Sequence, residues 1–505
     1  MNLTPIAKAI FRRDSARIDA WKDLTPEIQI RQLRWLLFKG VETEYGQRYG
    51  FEKMLRSEDP RKEFAEAVPM VGYEDLRADI MRMAAGHEDV LWPGKCLNFA
   101  QSSGTSGGRS KLIPVTRDSL RVNHYAGGSD VVGQYLRCFP ESRMFSGKGL
   151  ILGGSFDTQI KVSNPKVKIG DLSATLIDDI NPLANLFRIP SKKIALMKDW
   201  HSKLDLIAGS AIKENITNLS GVPSWMLRVI LRALDMAGVN STQEIWPGLE
   251  VFFHGGISFE PYREEYARLT APGKMNYFET YNASEGFFAT QASRDNDGML
   301  LLIDRGIFYE FMPIDNPTPS PLTAEQLEAG KVYEMIISSC NGLWRYRLGD
   351  TVEVTDVNPV KLRVAGRTKS FINAFGEELM ENNAERAMAA ACSATGAQIS
   401  NYTAGPVYAH GRKKGRHQWL IEFDQPPADI TTFREVLDSE LKNLNSDYAA
   451  KRFDGIFLDA PEIIPVEAGT FDTWLNQQGN HKLGGQRKIP RLRNDRSILD
   501  SILGK

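Results

Sequence analysis

Two apolar segments that each run into a pair of glycines constrain the fold most strongly. They are KGLILGGS (148–155) and LEVFFHGGIS (249–258), and both have the composition of a buried strand that leads into a tight turn. Between them, VPSWMLRVILRALDMAG (222–238) is predicted to be a helix, because a proline stands near its start and a glycine ends it. Strand, helix and strand in this order predict an α/β fold.

The rest of the chain divides into a helical start, a strand-rich middle and a smaller mixed end. Residues 15–58 are predicted to be helical, with Leu33, Leu36 and Leu37 among the residues spaced for one apolar face. Four strands are predicted at KMNYFETY (274–281), GIFYEFMPI (306–314), KVYEMIISS (331–339) and DTVEVTDV (350–357). Helix and strand alternate again from residue 375. We therefore expect two domains, residues 1–365 and residues 366–505.

Composition limits the classes of protein to which the chain can belong. It has 505 residues, of which 42% are hydrophobic and 25% charged, as in soluble globular proteins with more than one domain. No apolar run approaches the ~18 residues of a membrane span. The four cysteines are far apart, and the net charge of -1 gives no general attraction for nucleic acid. We expect a cytoplasmic monomer that binds neither membranes nor nucleic acid.

A glycine- and hydroxyl-rich loop, SSGTSGGRSK (102–111), follows an apolar patch. Glycines let backbone N–H groups approach a ligand closely, and hydroxyls and a lysine add donors, so the loop suits the oxygens of a phosphate chain. It is not a P-loop, because Arg109 rather than lysine follows Gly108. A flexible surface loop is the alternative. The candidate phosphate-binding residues are Ser102, Ser103, Gly104, Thr105, Ser106 and Lys111.

Further segments resemble, in their order, the core motifs of the adenylate-forming enzymes. These are YNASEG (281–286), YRLGD (346–350) and GRTKSFINAFGEEL (366–379). HGG (254–256) stands where these enzymes have a turn that contacts adenine, and GGQRKIPR (484–491) resembles the terminal motif that carries their catalytic lysine.

The closer resemblance is to the auxin-responsive acyl acid amido synthetases, which occur in plants and have bacterial relatives. It rests on TEYGQRYGF (43–51), VPMVGYEDL (68–76), SSGTSGGRSKLIP (102–114) and GVPSW (221–225). The hormone-binding residues of the plant enzymes have no match here, so hormone substrates are not implied. The resemblance implies a large N-terminal adenylate-forming domain with mixed sheets, a small mobile α+β C-terminal domain, and ATP in the cleft between them.

The activity implied by this resemblance is ATP- and Mg²⁺-dependent adenylation of a carboxylic acid, followed by amide formation with an amino acid. The substrates would be small molecules, an acyl acid and an amino acid. One alternative is an acyl-CoA ligase that uses the same acyl adenylate and a thiol acceptor. Another is a non-catalytic protein that has kept the nucleotide cleft.

The resemblance also implies roles for single residues. Glu285 would hold Mg²⁺ on the phosphates, Asp350 would accept the ribose hydroxyls, and Tyr281 would stack on adenine beside Gly255 and Gly256. The alternatives are a solvated glutamate, a turn-capping aspartate, a core tyrosine and a turn that needs glycines for its shape. Asn282 and Ser284 of the same motif are further candidates for nucleotide binding.

Three cations complete the expected site. The resemblance implies that Arg367 reaches ribose or phosphate, that Lys369 is the hinge of the small domain, and that Lys488 bridges the acyl carboxylate and the α-phosphate. A solvated linker lysine and a basic C-terminal tail are the alternatives for Lys369 and Lys488. The seven histidines lack metal-ligand spacing and are expected to be structural.

Overall fold

The computed structural model describes most of the chain. The described residues are 2–102, 111–156, 158, 160–256, 259, 263–270, 273–314, 320–367, 371–372, 379–407, 415–445, 448–449, 452, 458–477, 489–493 and 495–504.

The helices lie mainly in the first half of the chain and at its end. They are α1 Thr4–Asp19, α2 Trp21–Gly40, α3 Glu44–Tyr49, α4 Phe51–Arg56, α5 Pro60–Ala67, α6 Tyr73–Ala85, α7 Tyr125–Cys138, α8 Leu172–Asp179, α9 Lys192–Ala195, α10 Trp200–Ala211, α11 Pro223–Ala237, α12 Thr242–Ile245, α13 Arg263–Leu269, α14 Glu381–Thr395, α15 Ile430–Leu444, α16 Thr470–Gln477 and α17 Ser497–Leu503. A π-helix covers Ser119–His124, and 3₁₀-helices cover Met144–Ser146, Pro182–Phe187 and Ala324–Gln326.

The strands are β1 Asn98–Ser102, β2 Lys111–Val115, β3 Lys148–Ile151, β4 Lys168–Gly170, β5 Arg188–Ile189, β6 Ile216–Gly221, β7 Val251–Gly255, β8 Asn276–Ala283, β9 Gly286–Gln291, β10 Met299–Leu301, β11 Ile307–Pro313, β12 Leu322–Thr323, β13 Val332–Ser339, β14 Leu343–Val357, β15 Val360–Arg367, β16 Phe371–Ile372, β17 Leu379–Met380, β18 Gln398–Val407, β19 Arg416–Gln425 and β20 Glu462–Val466.

One large mixed sheet organises the N-terminal domain. Its described strands follow the order β12-β11-β13-β14-β15-β10-β9-β8-β7-β6-β3-β5. The strands from β8 to β5 in this order run parallel, whereas the pairs from β8 to β12 are antiparallel. The carboxyl ends of the parallel strands therefore meet at one edge, which is where α/β proteins place their ligands. The predicted α/β class with mixed sheets is confirmed.

The predicted helices of the large domain form because their apolar residues recur at helical spacing. Leu33, Leu36 and Leu37 of α2 are fully buried, as their spacing predicts. Helix α11 begins at Pro223 and is capped by Gly238, whose φ of 69° is left-handed. Its core-facing residues Met226, Val229, Ile230 and Ala233 are all 0% exposed.

Strand β3 ends earlier than predicted, because Gly153 and Gly154 pack closely against α8 and its N-terminus instead of extending the strand. It ends at Ile151, and the chain then runs through Gly153 and Gly154 against α8. A Cβ on Gly154 would lie 1.9 Å from a carboxylate oxygen of Asp171, and one on Gly153 would lie 2.2 Å from Ile177. Only glycine fits this close approach.

The smaller C-terminal domain has its own sheet and core. Strands β18, β19 and β20 form the sheet, in which β19 and β20 run parallel. A separate buried cluster includes Ala387, Trp419 and Leu437, from α14, β19 and α15. This matches the expected small α+β domain. The boundary between residues 365 and 366 stays a prediction.

Candidate functional site

A cavity of about 1910 Å³ lies between the carboxyl edge of the parallel strands and the C-terminal domain. Residues from several predicted motifs line it: Gly255, Gly256, Tyr281, Asn282, Ser284, Glu285 and Asp350. Helix α14 contributes Glu381, Asn382, Glu385 and Arg386, and the terminal motif contributes Ile489 and Arg491. The structure thus brings together residues that are more than 200 positions apart in the sequence.

Several predicted site residues lie outside the described residues. They are Ser103, Gly104, Thr105, Ser106, Lys369 and Lys488. Ser102 and Arg367 are placed in their strands, but their side chains are not described. Their roles stay predictions.

In the HGG turn (254–256), packing and backbone conformation within the protein already require glycines. Gly255 ends β7, and a Cβ there would lie 2.4 Å from the carbonyl oxygen of Thr280 on the neighbouring strand. The Thr280 hydroxyl donates to the carbonyl of His254 at 3.0 Å, and Gly256 has a left-handed φ of 81°. Glycine is therefore required at both positions before any nucleotide is considered.

Tyr281 and Asp350 form a buried pair in the cavity wall. The tyrosine hydroxyl donates to Oδ2 of Asp350 at 2.7 Å, and the two residues are 7% and 4% exposed. The Tyr281 ring also packs against Phe288, with centroids 4.9 Å apart. Asp350 lies opposite Arg367 in the β14–β15 ladder. The sequence motifs predict both residues but not their hydrogen bond, which fixes the orientation of the carboxylate.

Glu285 lies in the turn between β8 and β9 and is 7% exposed. Its main-chain carbonyl accepts a hydrogen bond from the side-chain amide of Asn341 at 2.9 Å, which holds the turn. Mg²⁺ in nucleotide sites is bound through one or two carboxylates together with phosphate oxygens. Glu285, one of the carboxylates of the cavity wall, fits that requirement, and the described residues contain no cluster of three or more metal-ligating side chains.

Lys111 is the first residue of β2 and pairs in register with Ser102 at the end of β1. The predicted phosphate loop therefore closes a hairpin whose two ends are held by the ladder. The Lys111 ammonium lies 5.8 Å from the centre of the Tyr73 ring, and the Tyr73 hydroxyl accepts a hydrogen bond from the N–H of Leu112 at 2.9 Å. Tyr73 thus positions the start of β2 from α6.

The motif VPMVGYEDL (68–76), which contains Tyr73, also supports the strand that carries Asp350. Val71 exchanges main-chain hydrogen bonds with Arg345 and Arg347, at 3.0 and 2.9 Å. The Arg345 guanidinium donates to both carboxylate oxygens of Glu310 and to the carbonyl of Val68. Burial raises the pKa of Glu310 and the Arg345 charge opposes that shift. One motif therefore connects the two halves of the predicted nucleotide site.

His124 and Arg188 are buried polar residues of the cavity wall that were not predicted as functional. His124 ends the π-helix and is 4% exposed, and neither of its ring nitrogens has a hydrogen-bond partner among the described residues. Burial lowers its pKa to about 4. Arg188 opens β5 and is 5% exposed. The sequence contains no signal for either, because a single histidine or arginine has no pattern and π-helices have no simple sequence signature.

The part of the chain that the structure describes has no helix long and apolar enough to cross a membrane. The four cysteines are free thiols.

Comparison with known proteins identifies the family. Sequence profiles of the GH3 family match in order, with the N-terminal domain over residues 15–275, the central domain over 300–367 and the C-terminal domain over 382–497. Indole-3-acetic acid-amido synthetase GH3.4 of Arabidopsis thaliana is 24% identical over 547 residues, covering 92% of this chain and 88% of that protein.

Solved structures share the fold over nearly the whole chain. AtGH3.15 acyl acid amido synthetase in complex with 2,4-DB has a TM-score of 0.76 at 19% identity, covering 97% of this chain and 95% of that one. A 2-hydroxyisobutyryl-CoA ligase in complex with 2-HIB-AMP has a TM-score of 0.61 at 13% identity, covering 95% and 92%. Since the N-terminal profile alone spans more than half of its residues, the chain belongs to the GH3 family.

Proposed function

We propose that the chain is an ATP- and Mg²⁺-dependent acyl acid–amino acid ligase that forms AMP. The observation that carries this proposal is one cavity that holds the buried Tyr281–Asp350 pair, Glu285 and the glycine turn of β7. The curated relatives that match in sequence are named as amido synthetases, which supports an amine acceptor.

The first half-reaction is the attack of a carboxylate oxygen on the α-phosphorus of ATP, which releases pyrophosphate and leaves an acyl adenylate. In this proposal Asp350 binds the ribose hydroxyls, while Lys111 and the loop from Ser102 to Ser106 bind the β- and γ-phosphates. Mg²⁺, when bound, neutralises charge on the phosphates, and Glu285 is the residue that would hold it. Lys488 would stabilise the charge that develops between the carboxylate and the α-phosphate.

The second half-reaction is the attack of an amine on the acyl carbon. AMP leaves with the electrons of the C–O bond, and the amine loses a proton as the amide forms. We propose that residues 366–505 rotate between the two steps, with the hinge at Lys369, so that the acceptor replaces pyrophosphate and Lys488. Arg367, which precedes the proposed hinge, would contact ribose or phosphate.

The acyl-CoA ligase alternative uses the same intermediate, and a solved CoA ligase shares this fold. The acceptor alone separates the two functions. A screen of pyrophosphate release over a panel of carboxylic acids, with no acceptor, with mixed amino acids or with coenzyme A, tests the proposal. We expect turnover that requires ATP, an acid and an amino acid. Turnover with coenzyme A and none with amino acids would establish the alternative.

We further propose that the protein acts as a monomer in the cytoplasm on small molecules, without a nucleic acid or membrane partner. The free thiols and the balanced charge support this proposal.

A further inference from the structure

Arg188 is a buried cation that the described part of the protein does not neutralise. Its Nε donates to the side-chain oxygen of Asn185 at 2.7 Å, and its Nη1 donates to the carbonyl of Pro190 at 3.1 Å. Its Nη2 is buried without a hydrogen-bond partner among the described residues. Both acceptors are neutral, and burial lowers the Arg188 pKa, a shift that no carboxylate of the described residues opposes. An arginine side chain keeps its proton in proteins, so the charge stays and burial makes it costly.

Arg188, Gly149 and Asn218 lie side by side on three adjacent strands and form a row that faces the cavity. Arg188 pairs in register with Gly149 of β3, and Gly149 pairs with Asn218 of β6. All three residues line the cavity. A Cβ on Gly149 would lie 2.5 Å from the side-chain oxygen of Asn218, so a larger residue there would fill the space between the amide and the guanidinium. The Asn218 amide nitrogen already donates to the carbonyl of Met144 and to the hydroxyl of Thr217, at 3.3 and 3.2 Å. Nη2 of Arg188 is therefore the donor that this row leaves for a carboxylate.

The row lies far from the proposed nucleotide site. Asn218 pairs with Val251, and Gly255 follows Val251 by four residues on β7. Four residues of strand cover about 13 Å, and the three strand spacings from β5 to β7 cover about 14 Å. Arg188 and Gly255 are therefore about 19 Å apart between Cα atoms. A group held by Arg188 belongs to the end of a ligand that is remote from the adenine turn.

Glu285, the residue proposed to hold Mg²⁺ on the phosphates, lies farther still from Arg188, because β8 is four strand spacings from β5 and continues beyond Thr280, the partner of Gly255. The reacting centre beside the phosphates is therefore remote from Arg188, which separates the two substrates that could supply an anion. The carboxylate of an amino acid is only two bonds from the amine that attacks the acyl carbon, so it must lie close to the reacting centre. An anionic group at the far end of a long acyl acid has no such restriction. Between the two ends, the cavity wall includes the apolar residues Ile151, Leu152 and Phe253, which suit an apolar middle.

We propose that Arg188 binds a second carboxylate at the distal end of the acyl acid, so that the preferred substrates are dicarboxylic acids with an apolar middle. This inference rests on the proposed function. The ligand supplies the negative charge that the described residues do not supply at Arg188, and the pairing favours a diacid over the monoacid of the same length.

The test compares matched acids in ATP–pyrophosphate exchange. The probes are suberate against octanoate, and 1,4-phenylenediacetate against 4-methylphenylacetate. We expect kcat/KM of the wild type to be at least tenfold higher for each diacid. Arg188→Met should lower this diacid-to-monoacid ratio at least tenfold, and Arg188→Lys should give an intermediate ratio because it keeps the charge. Leu186→Ala, at an exposed position of the adjacent 3₁₀-helix, is the matched control and should keep the wild-type ratio.

A binding measurement keeps this inference separate from the proposed reaction. Suberate without ATP should raise the Tm of the wild type and not that of Arg188→Met. If no acid supports exchange but this difference in Tm is found, the proposed reaction is wrong and the subsite stands. If only monoacids are adenylated, the subsite is wrong and the reaction stands. An Arg188→Met effect confined to KM for the amino acid would assign Arg188 to the acceptor and overturn the proposal. If Arg188→Met does not fold, the wild-type preference and the Arg188→Lys ratio decide.

Discussion

Tyr281 and Asp350 connect two sequence motifs through one buried hydrogen bond of 2.7 Å. The tyrosine donates to one carboxylate oxygen and thereby fixes the plane of the group that would accept the ribose hydroxyls. A hydrogen bond to a charged group contributes about 1.5–3 kcal/mol, which is enough to decide the affinity for a nucleotide.

Tyr281→Phe should therefore raise KM for ATP about tenfold, because Asp350 loses the donor that orients it. The measurement is the ATP dependence of pyrophosphate exchange at saturating acid. Tyr277→Phe is the matched control, because it removes a buried hydroxyl from the same strand without a contact to Asp350. Equal values of KM in the two variants would remove Tyr281 from the site.

His124 gives stability a defined dependence on pH. Its pKa in the folded protein is about 4, lowered by burial from the ordinary value of 6.5. As pH falls from 6.5 towards 4, the unfolded chain binds a proton at this residue and the folded chain does not. The free energy of unfolding therefore decreases by about 1.4 kcal/mol per pH unit from this histidine.

His124→Phe should reduce the slope of unfolding free energy against pH between 6.5 and 4 by that amount. Urea titrations at a series of pH values measure it. His87→Phe, at an exposed position, should keep the wild-type slope. A slope that is the same in His124→Phe and the wild type would show that the histidine is not held neutral.

At the scale of elements, the segment before α6 and the strand β14 depend on one buried ion pair. The side chains of Arg345 and Glu310 are 4% and 5% exposed, and they are 2.8 Å apart. Arg345 also has a left-handed φ of 45°, which is unusual for a residue with a side chain. These bonds hold β14, and with it Asp350, against the N-terminal helices.

Arg345→Met should lower the free energy of unfolding by about 3–5 kcal/mol, because Glu310 would remain buried without its partner. Thermal and urea unfolding measure the loss. The double variant Arg345→Met/Glu310→Leu should recover most of it, since the unpaired carboxylate is gone. If the double variant is as unstable as the single one, the pair is not the source of the loss.

The sequence predicts the elements that are marked by the local spacing of apolar residues and by residues that begin or end a helix. Helix α11 and the buried face of α2 follow from apolar residues at helical spacing, with Pro223 and Gly238 as end signals. The early end of β3 could not be predicted, because it depends on Asp171 and Ile177 approaching Gly153 and Gly154 from α8 and its N-terminus. Contacts between elements that are distant in the sequence decide where such a strand ends, and the spacing of residues along the chain does not reveal those contacts.

The same distinction applies to the site. Asp350, Glu285 and the glycine turn were predicted because they stand in motifs, and the structure gathers them around one cavity. Arg188 and His124 were not predicted, because what sets them apart is a buried nitrogen without a hydrogen-bond partner among the described residues, Nη2 in Arg188 and both ring nitrogens in His124. That property appears only after strands and helices from distant parts of the chain have packed together.

At the scale of the whole molecule, the proposed reaction needs both domains. The cavity is lined by the parallel strands on one side and by α14, Ile489 and Arg491 on the other. Lys488 is proposed to act only while pyrophosphate leaves. Lys488→Ala should therefore slow formation of the acyl adenylate by about 10²-fold, the cost of one donor to a developing negative charge.

Single-turnover assays check this separation of steps. Lys488→Ala should still form amide from a presynthesised acyl adenylate at the wild-type rate. Arg493→Ala, a nearby cation outside the cavity wall, is the control and should not slow adenylation. Equal losses in the two half-reactions would show that Lys488 serves both steps or the fold.

The central claim, that a carboxylic acid is activated as its adenylate and then transferred to an amine, is tested most directly by isotope transfer. The acid identified in the acceptor screen is labelled with ¹⁸O in both carboxylate oxygens and turned over with ATP and the amino acid. Mass spectrometry should find one labelled oxygen in AMP and the other in the amide, because the acyl C–O bond breaks when AMP leaves. Label in inorganic phosphate, or AMP without label, would contradict the account.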